Sequence, residues 1–192
     1  MTQSTVPAPA RKHVVLNHVP LLDELLDGYA SAIGRDFTAY RNHTYRVVNF
    51  CVALSEGEPE IIQQKAAIAA AFHDLGIWTD ATFDYLPPSE RLAQTYLAAS
   101  GNAAWEPEIR DMIHYHHKIT RYARRPDNLI ETFREADWVD VSRGLLRFGL
   151  PRRFLHDVFA AFPNAGFHRK LVQLSAGRFV RHPLNPLPMF KV

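Results

Sequence analysis

An all-α fold, a single-domain bundle of seven to nine helices, is what this sequence predicts, and three observations predict it. Apolar residues recur at helical spacing along most of the chain. Strand signals are missing. Proline, serine and glycine fall where such helices would start and stop. The length of 192 residues suits one domain with modest extensions, and 47% apolar residues supply a sizeable core.

Residues 1–13 read as a disordered polar arm carrying Pro7 and Pro9. Over residues 19–33, Leu22, Leu25, Leu26, Tyr29 and Ile33 keep helical spacing, and Gly34 is a stop. A second helix is expected over 37–54, ended by Ser55-Glu56-Gly57. A third runs over 59–74, opened by Pro59 in its first turn and followed by Gly76. Residues 79–88 read as a loop rich in Asp, aromatic residues and Pro. Ser89 is the expected N-cap of a helix to residue 100, broken by Gly101-Asn102. Further helices are expected over 107–119, 128–146, 151–162 and 165–179. The domain thus spans 14–180, and the proline-rich tail 181–192 is expected to be extended.

Composition narrows the function classes. A formal net charge of +2 gives no global basic field for a nucleic-acid polymer. Arginine outnumbers lysine, which suits phosphate oxygens as well as exposed helices. The single Cys51 excludes an intramolecular disulfide and a Cys-rich zinc site, and its apolar neighbours mark it as a buried small hydrophobe. No signal peptide and no membrane-spanning apolar run are apparent, so a soluble, cytoplasmic protein is expected.

Chemistry gathers around four residues spread over half the chain: His43, the adjacent pair His73-Asp74, and Asp137. Imidazole nitrogens mixed with carboxylate oxygens suit a catalytic divalent metal with open positions, and no short motif holds them together, so a fold must. A His-Asp dipeptide alone carries little, because the chain holds ten histidines and a second such pair at His156-Asp157. The first pair differs in its flanks: an Ala-rich helix leads into it and Leu75-Gly76 follows. Asp137 lies in Glu135-Ala136-Asp137-Trp138-Val139-Asp140, where an acid on an otherwise apolar face needs a cation. Asp140, three residues on, can orient a ligand His or an Arg. Arg46 shares a helix face with His43.

The segments Asn42-His43-Thr44-Tyr45-Arg46, Phe72-His73-Asp74-Leu75-Gly76 and Glu135-Ala136-Asp137-Trp138, in that order, resemble the HD-domain superfamily of metal-dependent phosphohydrolases, over residues 40–142. The resemblance implies His43, His73, Asp74 and Asp137 as metal ligands, and a divalent cofactor such as Mn, Fe, Co, Ni, Mg or Zn. It also implies His116, placed after Ile113 at the family's spacing, as a pocket residue. His117 is a second candidate, and helical phase with Ile109, Met112 and Ile113 leaves His114 nearer the outer face. Arg46, His116, His117 and Asp140 are the expected catalytic residues; Arg46, Lys118, Arg121, Asp80 and Asp84 are the expected substrate contacts.

The expected reaction is hydrolysis of a small phosphate ester or nucleotide by a metal-activated water, with Arg46 and Lys118 offsetting phosphoryl charge and His116 or His117 protonating the leaving oxygen. The chain departs from some HD nucleotidases at Ile77, where those carry an acid. Asn42-His43-x-x-Arg46 is also similar to cyanamide-hydratase-like HD proteins, and the extra histidines are similar to those of a di-iron oxygenase branch. A metal-containing nucleotide-binding module without turnover is the non-enzymatic alternative. The expected partner is a small phosphate-bearing molecule, with no membrane and a homodimer left open.

Overall fold

The computed structural model describes residues 13–169 except 81, 83, 124 and 126. The expected arm over 1–12, most of the helix expected over 165–179, and the tail lie outside the described residues. Within them every regular element is helical, and no strand occurs. The order is α1 (Pro20–Gly28), α2 (Ala30–Ile33), a 3₁₀ turn (Gly34–Asp36), α3 (Phe37–Leu54), α4 (Pro59–Phe72), α5 (Gly76–Thr79) and α6 (Leu86–Ala99). A second 3₁₀ turn (Ala103–Trp105), α7 (Glu106–Tyr115), α8 (Ile130–Val141) and α9 (Arg152–Ala161) follow.

α3 is the central element and packs against α4, α8 and α9. It is buried on most of its surface, from Ala39 and Tyr40 through Val47, Val48, Phe50 and Cys51. α4 explains its own alanines. Ala66, Ala67, Ala69 and Ala70 are fully buried, and side chains this small let α1, α3, α6 and α7 approach the helix closely. The C-terminal ends of α4 and α7 and the middle of α3 and α8 meet in the core, and this meeting point is where the polar residues lie.

Several element boundaries differ from expectation for identifiable reasons. The expected first helix breaks at Tyr29, whose N–H bonds to Leu26 O at 3.0 Å. Gly34 does stop it, with φ of 59°. The expected loop 79–88 is shorter, because Gly76–Thr79 forms a helical turn and α6 starts at Leu86 with Pro87 and Pro88 in its first turn. Ser89 is therefore not an N-cap; its hydroxyl accepts a hydrogen bond from Gly76 N at 3.0 Å. Gly76 serves close approach: a Cβ there would stand 2.5 Å from Tyr85 O. α7 ends at Tyr115 and α8 runs only from Ile130 to Val141, so the His116-His117-Lys118 segment is a turn between them.

Candidate metal centre

The four expected ligands converge. His43 is in the middle of α3, His73 and Asp74 follow the last turn of α4, and Asp137 lies on the inner face of α8. His43 and His73 are wholly buried, Asp74 and Asp137 nearly so. His43 Nε2 lies 2.9 Å from His73 Nε2, 3.6 Å from Asp137 Oδ1 and 3.9 Å from Asp74 Oδ2. His73 Nε2 lies 3.5 Å from Asp74 Oδ2 and 3.9 Å from Asp137 Oδ1.

The turn after α7 adds two more imidazoles. His116 Nε2 lies 3.5 Å from Asp74 Oδ1, and His117 Nδ1 lies 3.4 Å from Asp137 Oδ2. Each carboxylate thus turns one oxygen towards His43 and His73 and the other towards the His116–His117 side. Among the described residues, three overlapping groups could hold a metal ion: His43, His73 and Asp137; His73, Asp74 and His116; His116, His117 and Asp137.

The second ring nitrogen of each histidine fixes what the cluster offers. His73 Nδ1 lies 2.8 Å from Ala70 O and His116 Nδ1 lies 2.6 Å from Ile113 O. A carbonyl can only accept, so both Nδ1 atoms carry the hydrogen. His43 Nδ1 lies 2.6 Å from Asp140 Oδ2, and an ionised carboxylate imposes the same tautomer. In the neutral rings, all three Nε2 lone pairs therefore face the middle of the cluster. The 2.9 Å approach of two of them is repulsive between neutral rings and is relieved by a cation beside both or by a proton shared between them. His116 Nε2, Asp74 Oδ1 and both Asp137 oxygens are buried with no hydrogen-bond partner. Orphaned buried polar atoms are uncommon and call for a bound species. Donor type, tautomer and separation all fit a divalent cation.

Burial and neighbouring charges set the protonation of the cluster. Burial lowers the His73 pKa to about 3, so the ring is neutral near pH 7. Burial opposes the charge on Asp74, but the surrounding imidazoles of His73, His116 and His117 outweigh it and hold the carboxyl below its ordinary range. Burial raises Asp137 to about 6, with Asp74 and Asp140 adding repulsion. Burial also pushes His117 well down, whereas the Asp74 and Asp137 carboxylates overcome burial at His116 and raise it.

Asp140 and Arg46 stand behind the ligands. Arg46 Nε and Nη2 both donate to the Asp140 carboxylate, the latter at 2.8 Å, and Nη1 donates to Phe162 O at 2.9 Å. Both residues are wholly buried. Arg46, expected to contact substrate, is instead committed to Asp140 and to the chain after α9, where its charge orients His43 through Asp140. Its partner is the carboxylate of Asp140 on α8, the residue expected to orient a His or an Arg. Asp140 has the orienting position expected of it.

The expected substrate contacts are dispersed. Asp80 pairs with Arg91 at 3.2 Å on the surface, and Asp84 is exposed in a local turn with Thr82. Arg121 is 71% exposed along its side chain and lies 3.6 Å from Glu131. The Lys118 carbonyl accepts from Arg134 Nη1 and Trp138 Nε1. His114 turns outward to Glu90 at 2.8 Å. The rival pair His156-Asp157 is exposed on α9, its two side chains facing each other at 3.2 Å.

Two aromatic residues at the site carry no strong sequence signal. The Tyr85 hydroxyl lies 2.8 Å from His117 Nε2, and burial beside Asp74 and Asp137 raises its pKa. Phe167 stacks on the His43 ring. Tyr85 sits in the segment expected to be a loop, beside the expected substrate contacts Asp80 and Asp84; Phe167 is an isolated aromatic after Gly166 with nothing to tie it to His43. No protein-family model, curated protein or solved structure matches this chain.

Proposed function

We propose that this chain is a metal-dependent phosphohydrolase of the HD type, acting on a small phosphate ester or nucleotide. One observation carries the proposal: three imidazole lone pairs and two carboxylates converge in the core with four of their polar atoms unsatisfied. His43, His73, Asp74 and Asp137 would hold the metal, with His116 beside Asp74. A divalent ion bound there supplies Lewis acidity and lowers the pKa of its water towards neutrality. Asp140, itself fixed by Arg46, keeps His43 in the ligating tautomer.

His117 is the most open member of the cluster, its side chain 10% exposed where the others are 0–3% exposed. It is the residue best placed to meet a substrate, with Tyr85 fixing its ring. Lys118, next along the turn, is the candidate for a phosphoryl contact. A panel of nitrophenyl phosphates and nucleotides with Mn, Co, Ni and Mg tests the reaction class against a His43→Ala control. Turnover lost in that control supports it; hydration of cyanamide in place of phosphate release moves the chain to the hydratase branch.

The two-sided use of Asp74 and Asp137 favours a second reading. One oxygen of each faces His43 and His73 and the other faces His116 and His117, which suits a pair of ions and the di-iron oxygenase branch. Two irons per chain after purification without chelator would select it.

A further inference from the structure

The chain leaving α9 folds back against the cluster as a strap. Asn42 Nδ2 donates to Pro163 O at 2.7 Å, and Arg46 Nη1 reaches Phe162 O and Pro163 O, so α3 ties down its near end. His168 N donates to Asn164 Oδ1 at 3.2 Å, and His168 Nε2 lies 3.2 Å from Asp140 O on α8. Between these ties Phe167 is 1% exposed and lays its ring on the imidazole of His43. The centroids are 3.9 Å apart and the planes differ by 14°.

A hydrogen bond and a stacked ring constrain different things. The contact of His43 Nδ1 with Asp140 fixes one edge of the imidazole but leaves the plane free to tilt about that contact. A flat ring in face-to-face contact removes that tilt. Together they set the direction of the Nε2 lone pair. We propose that Phe167 is a positioning residue for the metal ligand His43, so that the strap after α9 completes the metal centre. This rests on the metal-binding reading above.

The strap supplies its own control. Phe162 is also buried and also stacks, but on Tyr45, with centroids 4.6 Å apart, and its side chain has no ring contact with a cluster histidine. Titration of the full chain with Co²⁺, followed by its visible absorption, is to be run on wild type, Phe167→Leu and Phe162→Leu, with the metal-free stability of each measured alongside. Loss of a supporting contact to a metal ligand typically weakens affinity 10–100-fold, and a weakening of about 10-fold with an altered cobalt spectrum is expected for Phe167→Leu. Phe162→Leu is expected to lose comparable metal-free stability and to keep wild-type cobalt affinity. Equal affinity in Phe167→Leu and wild type, or equal weakening in both variants, overturns the proposal. Absence of cobalt binding in wild type overturns the metal-binding reading itself, and the proposal with it. Phe167→Met, which keeps bulk without a flat face, takes the place of Phe167→Leu if that variant does not fold.

Discussion

His73-Asp74 and His156-Asp157 are the same dipeptide in two environments. The first follows the buried end of α4, with His73 wholly buried and Asp74 2% exposed. The second sits on α9 with side chains 81% and 49% exposed, the two residues facing each other at 3.2 Å. At the surface, water satisfies both residues, and a pair so exposed contributes little. In the core, Asp74 Oδ1 has no hydrogen-bond partner, and His73 Nε2 lies 2.9 Å from His43 Nε2. The dipeptide is not the signal. What matters is where a helix end delivers it, and whether the surroundings leave its polar atoms needing a cation.

The contrast can be broken at the residue that supports the buried cluster. Asp140→Ala strands the wholly buried Arg46 and unpins His43. Breaking a buried pair in this way costs about 3–5 kcal/mol, whereas Asp157→Ala on the surface should fall within about 0.5 kcal/mol of wild type. Urea unfolding of the two variants measures the difference. A small effect of Asp140→Ala would show that Arg46 has another partner to turn to.

The histidine turn gives the next contrast. His116 faces Asp74 in the core, and His114 faces Glu90 at the surface. On a confirmed substrate, His116→Ala should lower the rate on the order of 10²–10⁴-fold and His114→Ala should leave it near wild type. A damaging His114→Ala beside a silent His116→Ala would move the active face to the other side of α7.

Smaller effects sharpen the boundary of the buried region. A Cβ at Gly76 would meet Tyr85 O and the Pro88 ring, at 2.5 and 2.8 Å. Gly76→Ala should cost about 1–3 kcal/mol by thermal or urea unfolding, because backbone must shift. Burial also pushes the Cys51 thiol up to about 12. Native protein at pH 8 should resist alkylation, and the unfolded chain should react at once. The sign for stability follows. An unfolded thiol releases its proton near pH 8.5 while the folded one keeps it, so Cys51 lowers stability as pH rises above that value.

The fold was legible in the sequence through local periodicity, and the cluster through the order and flanks of its His and Asp motifs. The spacing on α3 and α8 puts His43 and Asp137 on inward faces, and the alanines of α4 mark a helix buried on several sides. Arg46 was legible as a neighbour of His43 but not as a partner of Asp140, 94 positions later. Tyr85 and Phe167 depend on how two loops return to the core, and such returns leave no period in the sequence. The early start of α6 was hidden because Pro87 and Pro88 read as loop residues, although proline fits a first helical turn as well.

Elemental analysis of protein purified without chelator asks whether the core dipeptide holds a metal, run on wild type, His73→Ala, Asp74→Ala, His156→Ala and Asp157→Ala. At least one divalent metal per chain is expected in wild type and in both α9 variants, and none in the two core variants. Metal retained after His73→Ala or Asp74→Ala, or lost after His156→Ala or Asp157→Ala, would contradict it.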